Sequence, residues 1–256
     1  MVRLFAFVVA WTLGLATAQA AELRLSFVEL ATVAQKVIGD AKIYLNNKPG
    51  GFLGLGPQSS VTLAGRQMPL PLPASDFPIL DSRYAYYVVD IKSTAVRISG
   101  ETGAVRILVE FETEGAEMVG ACVSGPCRLA EAMPQVEWEK PSLAVEFVPV
   151  LADAGLSLQV KSARIGGTLT PVCRNESGGI SSSLCNLSLP WARSTIQKLR
   201  QQVDTLIREK VNDPAMQATI AAGFKPHLAV GDLGKIEIQK VTTDTRGVIV
   251  TFRLAG

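Results

Sequence analysis

Residues 136–169 read as two long strands meeting at one turn, and that pairing restricts the fold more than any other feature of the chain. On the first strand, Val136 to Val150, Val145 and Phe147 alternate with Ala144 and Glu146. On the second, Leu156 to Leu169, the residues Leu156, Leu158 and Val160 alternate with Ser157, Gln159 and Lys161, and Asp153-Ala-Gly155 lies between the two. A period of two puts one residue set on a buried face and the other on a wetter face of an antiparallel sheet.

More β pattern precedes this pair. Tyr84 to Ser99 reads as one long strand whose apolar phase moves from Val89 and Ile91 to Val96 and Ile98, which predicts a bulge near Ser93-Thr94. After the turn Gly100-Glu-Thr-Gly103, the residues Val105, Ile107, Val109 and Phe111 alternate with Arg106, Leu108, Glu110 and Glu112. Glu114 and Glu117 continue the acidic run, which reads as a solvated face.

One amphipathic helix is expected near each end. Ser26 and Glu29 form a capping box, Phe27, Leu30, Ala31, Ala34, Val37 and Ile38 recur at helical spacing, and Gly39 stops the helix. Short strands at 22–26 and 41–45 flank it. The second helix is expected from Pro190 to Asn212, with Ile196, Leu199, Val203 and Leu206 on one stripe widened by Ile207. Asp213-Pro214 starts a further helical turn. Ile236 to Val241 and Val248 to Leu254 close the chain as a hairpin. Two helices cannot bury their stripes on each other and also cover four long strands. The expected fold is therefore α+β, a long and strongly curved antiparallel sheet wrapped around two amphipathic helices.

Residues 46–82 break the pattern. Lys48-Pro-Gly-Gly-Phe-Leu-Gly-Leu-Gly-Pro57 and Met68-Pro-Leu-Pro-Leu-Pro73 are loop chemistry, with a strand at 60–63. The glycines do not make a phosphate loop, because no Lys-Ser/Thr pair and no helix follow. Phe52, Leu53 and Leu55 are expected to form an exposed apolar tip that touches a membrane surface or an envelope protein.

The ends and the cysteines set the compartment. Met1-Val-Arg3, an apolar run from Leu4 to Leu15 and Ala18-Gln-Ala20 make a secretory signal over 1–20, leaving 21–256 as one expected domain. The run is too short to span a membrane, which needs roughly 20 apolar residues. Export makes disulfides the expected state of Cys122, Cys127, Cys173 and Cys185. Of the three pairings, Cys122–Cys127 with Cys173–Cys185 closes short turn-rich loops. A four-cysteine zinc site fits poorly, since zinc ligands usually pair two to four residues apart. The expected location is the periplasm. Asn175 and Asn186 open glycosylation sequons that matter only in a glycosylating cell.

Composition removes other functions. A net charge of +2, from 25 basic and 23 acidic residues, is far from a nucleic-acid footprint. There is one histidine, His227, and no Ser, Cys or carboxylate can be assigned to it by spacing, so no enzyme activity, cofactor or metal is expected.

The order of elements resembles the tubular lipid-binding (TULIP) superfamily, which includes bactericidal/permeability-increasing protein and bacterial periplasmic relatives. The matching pieces are Leu23-Arg-Leu-Ser-Phe-Val-Glu-Leu-Ala-Thr-Val-Ala, then Leu143-Ala-Val-Glu-Phe-Val-Pro-Val-Leu with the hairpin through Val160, and Ile196 to Val211. The resemblance lies in order and pattern, and no diagnostic motif is part of it. It implies an elongated groove between helices and sheet that takes an apolar ligand, a lipid above all. The residues expected to line it are Val33, Val37, Val109, Phe111, Phe147, Leu158, Ile196, Leu199, Val203 and Leu206. The alternative is a non-catalytic envelope interaction module in which the same residues form a filled core.

Overall fold

A computed structural model describes residues 21–48, 59–63, 65–70, 72, 75–79, 81–113, 118–129, 132–152, 155–174, 180–218 and 235–255. The chain runs β1 (Ala21–Ser26), α1 (Phe27–Ile38), β2 (Lys42–Leu45), β3 (Ser60–Leu63), β4 (Arg66–Pro69), β5 (Ser75–Ile79), β6 (Ser82–Val88) and β7 (Ile91–Glu101). It continues with β8 (Ala104–Glu112), β9 (Met118–Ser124), β10 (Gln135–Ala152), β11 (Gly155–Val172), α2 (Ile180–Val211), β12 (Lys235–Thr243) and β13 (Gly247–Ala255). All strand pairings are antiparallel.

The long hairpin β10–β11 is the spine of the larger sheet. β11 pairs with one edge of β10 along its whole length. The other edge of β10 is shared: Ser142–Phe147 pair with β8, and Val136 pairs with β9. Two branches therefore leave the same edge. One runs β8-β7-β2-β3-β4 and the other β9-β6-β5. They part at a bulge, where Lys140 and Pro141 stand opposite Gly167 alone, between the pairs Glu139–Thr168 and Ser142–Gly166. Lys140 has φ 48° and Gly167 has φ 78°, and both left-handed residues sit at this fork.

The sheet curls strongly, so that both branches face α2. Phe77 and Ile79 of β5 pack in one cluster with Ala192 and Ile196, while Val61 of β3 lines a cavity with Val203 on the same helix. The C-terminal half of α2 lies on β11 and is fastened by charge. Asp204 Oδ1 accepts from the Ala163 N–H at 2.7 Å, and Arg208 donates to Asp204 and to the Val160 and Lys161 carbonyls.

α1 covers the far end. Its capping box forms as expected, with the Ser26 side chain accepting from the Glu29 N–H and Glu29 accepting from the Ser26 N–H. Phe27, Leu30, Ala31 and Ala34 bury against Val105, Phe147, Leu158 and Val248. A second sheet, β1-β13-β12, brings Val248 there.

Four sequence expectations differ from this structure. The strand expected over 84–99 is broken at Val89-Asp90, where Asp90 has φ 50°, and the break passes the chain from one branch to the other. Aspartate tolerates the left-handed region, and here its carboxylate accepts from Tyr44 and Asn46. The expected bulge does occur, between Ser93 and Ala95. The segment 46–82 is more than a loop with one strand, since β4 and β5 also form in it. Both are the outermost strands of their branches, where Pro69 and Pro78 are tolerated. β9 had no alternating signature in Met118-Val-Gly-Ala-Cys-Val-Ser124 and was not expected. Finally, α2 begins at Ile180, with Pro190 inside it. Proline suits a first turn, which is why it reads as a start. In the structure the turns before it are anchored by the buried Cys185 and Ser188.

Candidate functional site

The fork leaves a gap that no ladder fills, and an apolar cavity of about 220 Å³ occupies it. Its floor is made of residues that flank the discontinuities. Val88 and Ile91 stand on either side of the β6–β7 break, Phe111 lies near the end of β8 and Met118 begins β9. Trp138 precedes the β10 bulge and Leu143 follows it, with Ile165 and Leu169 of β11 beside them. Leu199, Val203, Leu206, Ile207 and Val211 of α2 form the roof. Every described lining residue except Lys210 is apolar.

Polar groups around the cavity are satisfied away from it. The Trp138 indole N–H donates to the Gly166 carbonyl at 2.8 Å, and its ring packs on Phe111 with centroids 5.8 Å apart. That bond turns the one polar atom of the indole toward the backbone and leaves the ring for the wall. Asn47 holds another side: its Oδ1 accepts from the Val88 N–H at 2.7 Å, and its Nδ2 donates to the Leu72 carbonyl at 3.4 Å. It thus ties Leu72, from the Pro-rich segment, to the β6–β7 break. At that break the Tyr44 hydroxyl donates to Asp90 Oδ1, and Asn46 Nδ2 donates to the same oxygen at 3.1 Å. The Tyr44 bond holds the Asp90 carboxyl below the usual carboxylate range, while burial, helped by Asp90, pushes the Tyr44 hydroxyl up.

A larger hollow of about 810 Å³ lies over β2 and β7. Lys42, Tyr44, Lys92, Thr94 and Glu112 line it, so it offers mixed polar surface and little apolar enclosure.

The residues expected to line a groove are divided. Phe111, Leu199, Val203 and Leu206 come together in the cavity. Val109 is buried beside it, in contact with the Ile91, Phe111 and Trp138 cluster. Val33, Phe147 and Leu158 pack instead at the α1 end. Ile196 is buried near Tyr84, Tyr86 and Val136. The side chain of Val37 lies outside the described residues, as do Phe52, Leu53, Leu55, His227, Glu114, Glu117 and Asn175. Trp138, Ile165 and Leu169 escaped the sequence reading because the register shifts of β10 and β11 put them out of phase with Val145 and Phe147 and with Leu158 and Val160. Leu70 and Leu72 carried no periodic signal, since they sit between prolines.

Both sequential disulfides form, Cys122–Cys127 and Cys173–Cys185, with Cα–Cα distances of 5.6 and 5.9 Å. The second ties the end of β11 to α2. Glu110 of the acidic run pairs with Arg97 at 2.9 Å.

No family model matches the chain, and no curated protein is significantly similar to it. Among solved structures it is similar to a crystal structure of lipopolysaccharide binding protein, at 13% sequence identity and a TM-score of 0.32. That alignment takes in 84% of this chain and 49% of the other, so the chain spans about half the length of that structure.

Proposed function

We propose that this protein is an exported, TULIP-like carrier that binds a lipid chain in the cavity beneath α2, by shape and apolar burial and without covalent chemistry. The observation that carries this reading is the cavity itself: about 220 Å³ with apolar walls at the fork of the sheet. Apolar space of this kind does not hold water well. At ~0.8 kcal/mol per buried CH₂, an apolar chain that covers these walls gains several kcal/mol before ordering costs. An apolar occupant therefore gains without any charged catalytic group. The two disulfides fit export to an oxidising compartment such as the periplasm. The filled-core envelope module is less well supported, because among the described residues no side chain fills this space.

Native mass spectrometry of protein purified from its own host, before and after organic extraction, tests the reading. A bound mass that disappears on extraction is expected. A single unliganded mass at full occupancy before extraction overturns it.

A further inference from the structure

We infer that the ligand is a single-chain carboxylate whose head pairs with Lys210, an inference that rests on the carrier reading above. Among the described residues, Lys210 is the one charged residue on the cavity lining. It follows Val203, Leu206 and Ile207 by seven, four and three positions, so it lies on the same helical face as the roof. A lysine there lays its methylene stem along apolar wall and carries the ammonium to the rim.

Two neighbouring charges are already used. Asp204 is bonded to Arg208 and to the Ala163 N–H, and Arg208 also donates to two β11 carbonyls. Among the described residues, the Lys210 ammonium makes no hydrogen bond or ion pair. One cation with no partner among the described residues, beside an apolar space, balances one negative charge at the end of an apolar chain. A phosphate monoester carries more charge and is better matched by a guanidinium fork or several donors. The volume also limits the tail. It exceeds the roughly 150 Å³ that holds benzene and falls short of the roughly 300 Å³ at which pockets for larger ligands begin. That range takes part of one chain, with the rest and the head at the rim, and does not take two. A rival role exists for Lys210, since a cation in the last turn also complements the helix dipole. That role touches stability and is blind to the ligand's head group.

The test uses dodecanoate, dodecan-1-ol and dodecyl phosphate, titrated calorimetrically into the delipidated full chain and its Lys210→Gln and Lys210→Arg variants. The wild type is expected to prefer dodecanoate over the alcohol by about tenfold, the scale of one charge-assisted hydrogen bond. Lys210→Gln should lose that preference by weakening dodecanoate alone, and Lys210→Arg should keep most of it. Equal binding of acid and alcohol, or an equal loss of both in Lys210→Gln, overturns the inference and leaves the carrier reading standing. Tighter binding of dodecyl phosphate than of dodecanoate overturns the carboxylate assignment. If no probe binds the wild type, the carrier reading falls and this inference falls with it.

Discussion

The indole N–H of Trp138 donates to the carbonyl oxygen of Gly166 at 2.8 Å, which bridges the two sides of the β10 bulge and fixes the aromatic ring as cavity floor. Trp138 is opposite Leu169 in the ladder, so this bond reaches past its own partner. Trp138→Phe keeps an aromatic ring and leaves the Gly166 carbonyl without that donor. The expected cost is about 1 kcal/mol in urea unfolding, the scale of one part-buried hydrogen bond. An unchanged midpoint would mean that the bond does not hold the bulge.

Gly167 should be the least replaceable residue of the fork. Its φ is 78°, and a Cβ there would stand 2.3 Å from the Glu139 carbonyl oxygen and 2.5 Å from that of Lys140. Gly65, in the β3–β4 turn, has nearly the same φ of 75° with nothing within 4 Å of a Cβ. Gly65→Ala should therefore cost only the backbone term, about 1 kcal/mol. Gly167→Ala adds a clash with backbone and should lower the melting temperature several times further. Comparable losses at the two sites would show that the bulge can relax.

How much of this was legible in the sequence depends on the kind of signal. Phe147 and Leu158, Ser26 and Glu29, and the stripe from Ile196 to Ile207 lie in regular elements, whose periods expose their faces. The fork is irregular by nature. Asp90, Lys140 and Gly167 each act at one residue, through a left-handed φ, and no period records a single residue. Val61, Leu70 and Leu72 reach the cavity through pairing and hydrogen bonds distant in sequence, Asn47 to Val88 among them. The alternation of β10 and β11 was readable, yet which stretch of it faces α2 depends on the bulge.

Tyr86 should tolerate loss of its hydroxyl. The residue is 2% exposed, its ring stacks on Phe77 at 5.6 Å, and its buried hydroxyl oxygen has no hydrogen-bond partner among the described residues. Burial alone pushes that hydroxyl far above the ordinary tyrosine value. A Tyr→Phe change at a bonded site usually costs about 1 kcal/mol. Here Tyr86→Phe should be neutral or stabilising in thermal unfolding, because the removed group is desolvated without compensation. A loss of 1 kcal/mol or more would indicate a partner, such as a buried water.

Asp204 should make stability depend on pH in the acid range. The Arg208 hydrogen bond, ahead of the Ala163 N–H, holds its carboxyl below the usual 3.8. The folded value is thus depressed, so the contribution is complete above the unfolded value and is lost as pH falls through the folded one. Both side chains are more than a third exposed, at 36% and 40%, which limits the effect to about 1 kcal/mol. Asp204→Asn should be less stable than the wild type by that amount at pH 7. The gap should narrow only below pH 3.8 or so; a gap constant down to pH 2 would assign the loss to geometry instead of charge.

Val203 offers a substitution that sets stability and binding against each other. Its side chain borders the cavity with Leu199 and Leu206, so Val203→Phe would place a larger apolar group into space already lined by carbon. Cavity filling of this kind commonly adds about 0.5–2 kcal/mol. The ligand-free protein should therefore melt at the same temperature or higher, while the mass of co-purifying lipid falls. Leu199→Ala should act in the opposite sense on the space. It should cost less than the roughly 2–5 kcal/mol of a close-packed leucine, because one side of Leu199 already faces the cavity. Should Val203→Phe instead lower the melting temperature by several degrees, the region would be packed too tightly for an added ring. A chain could then enter only by displacing α2, and binding would have to be slow and coupled to opening of the helix.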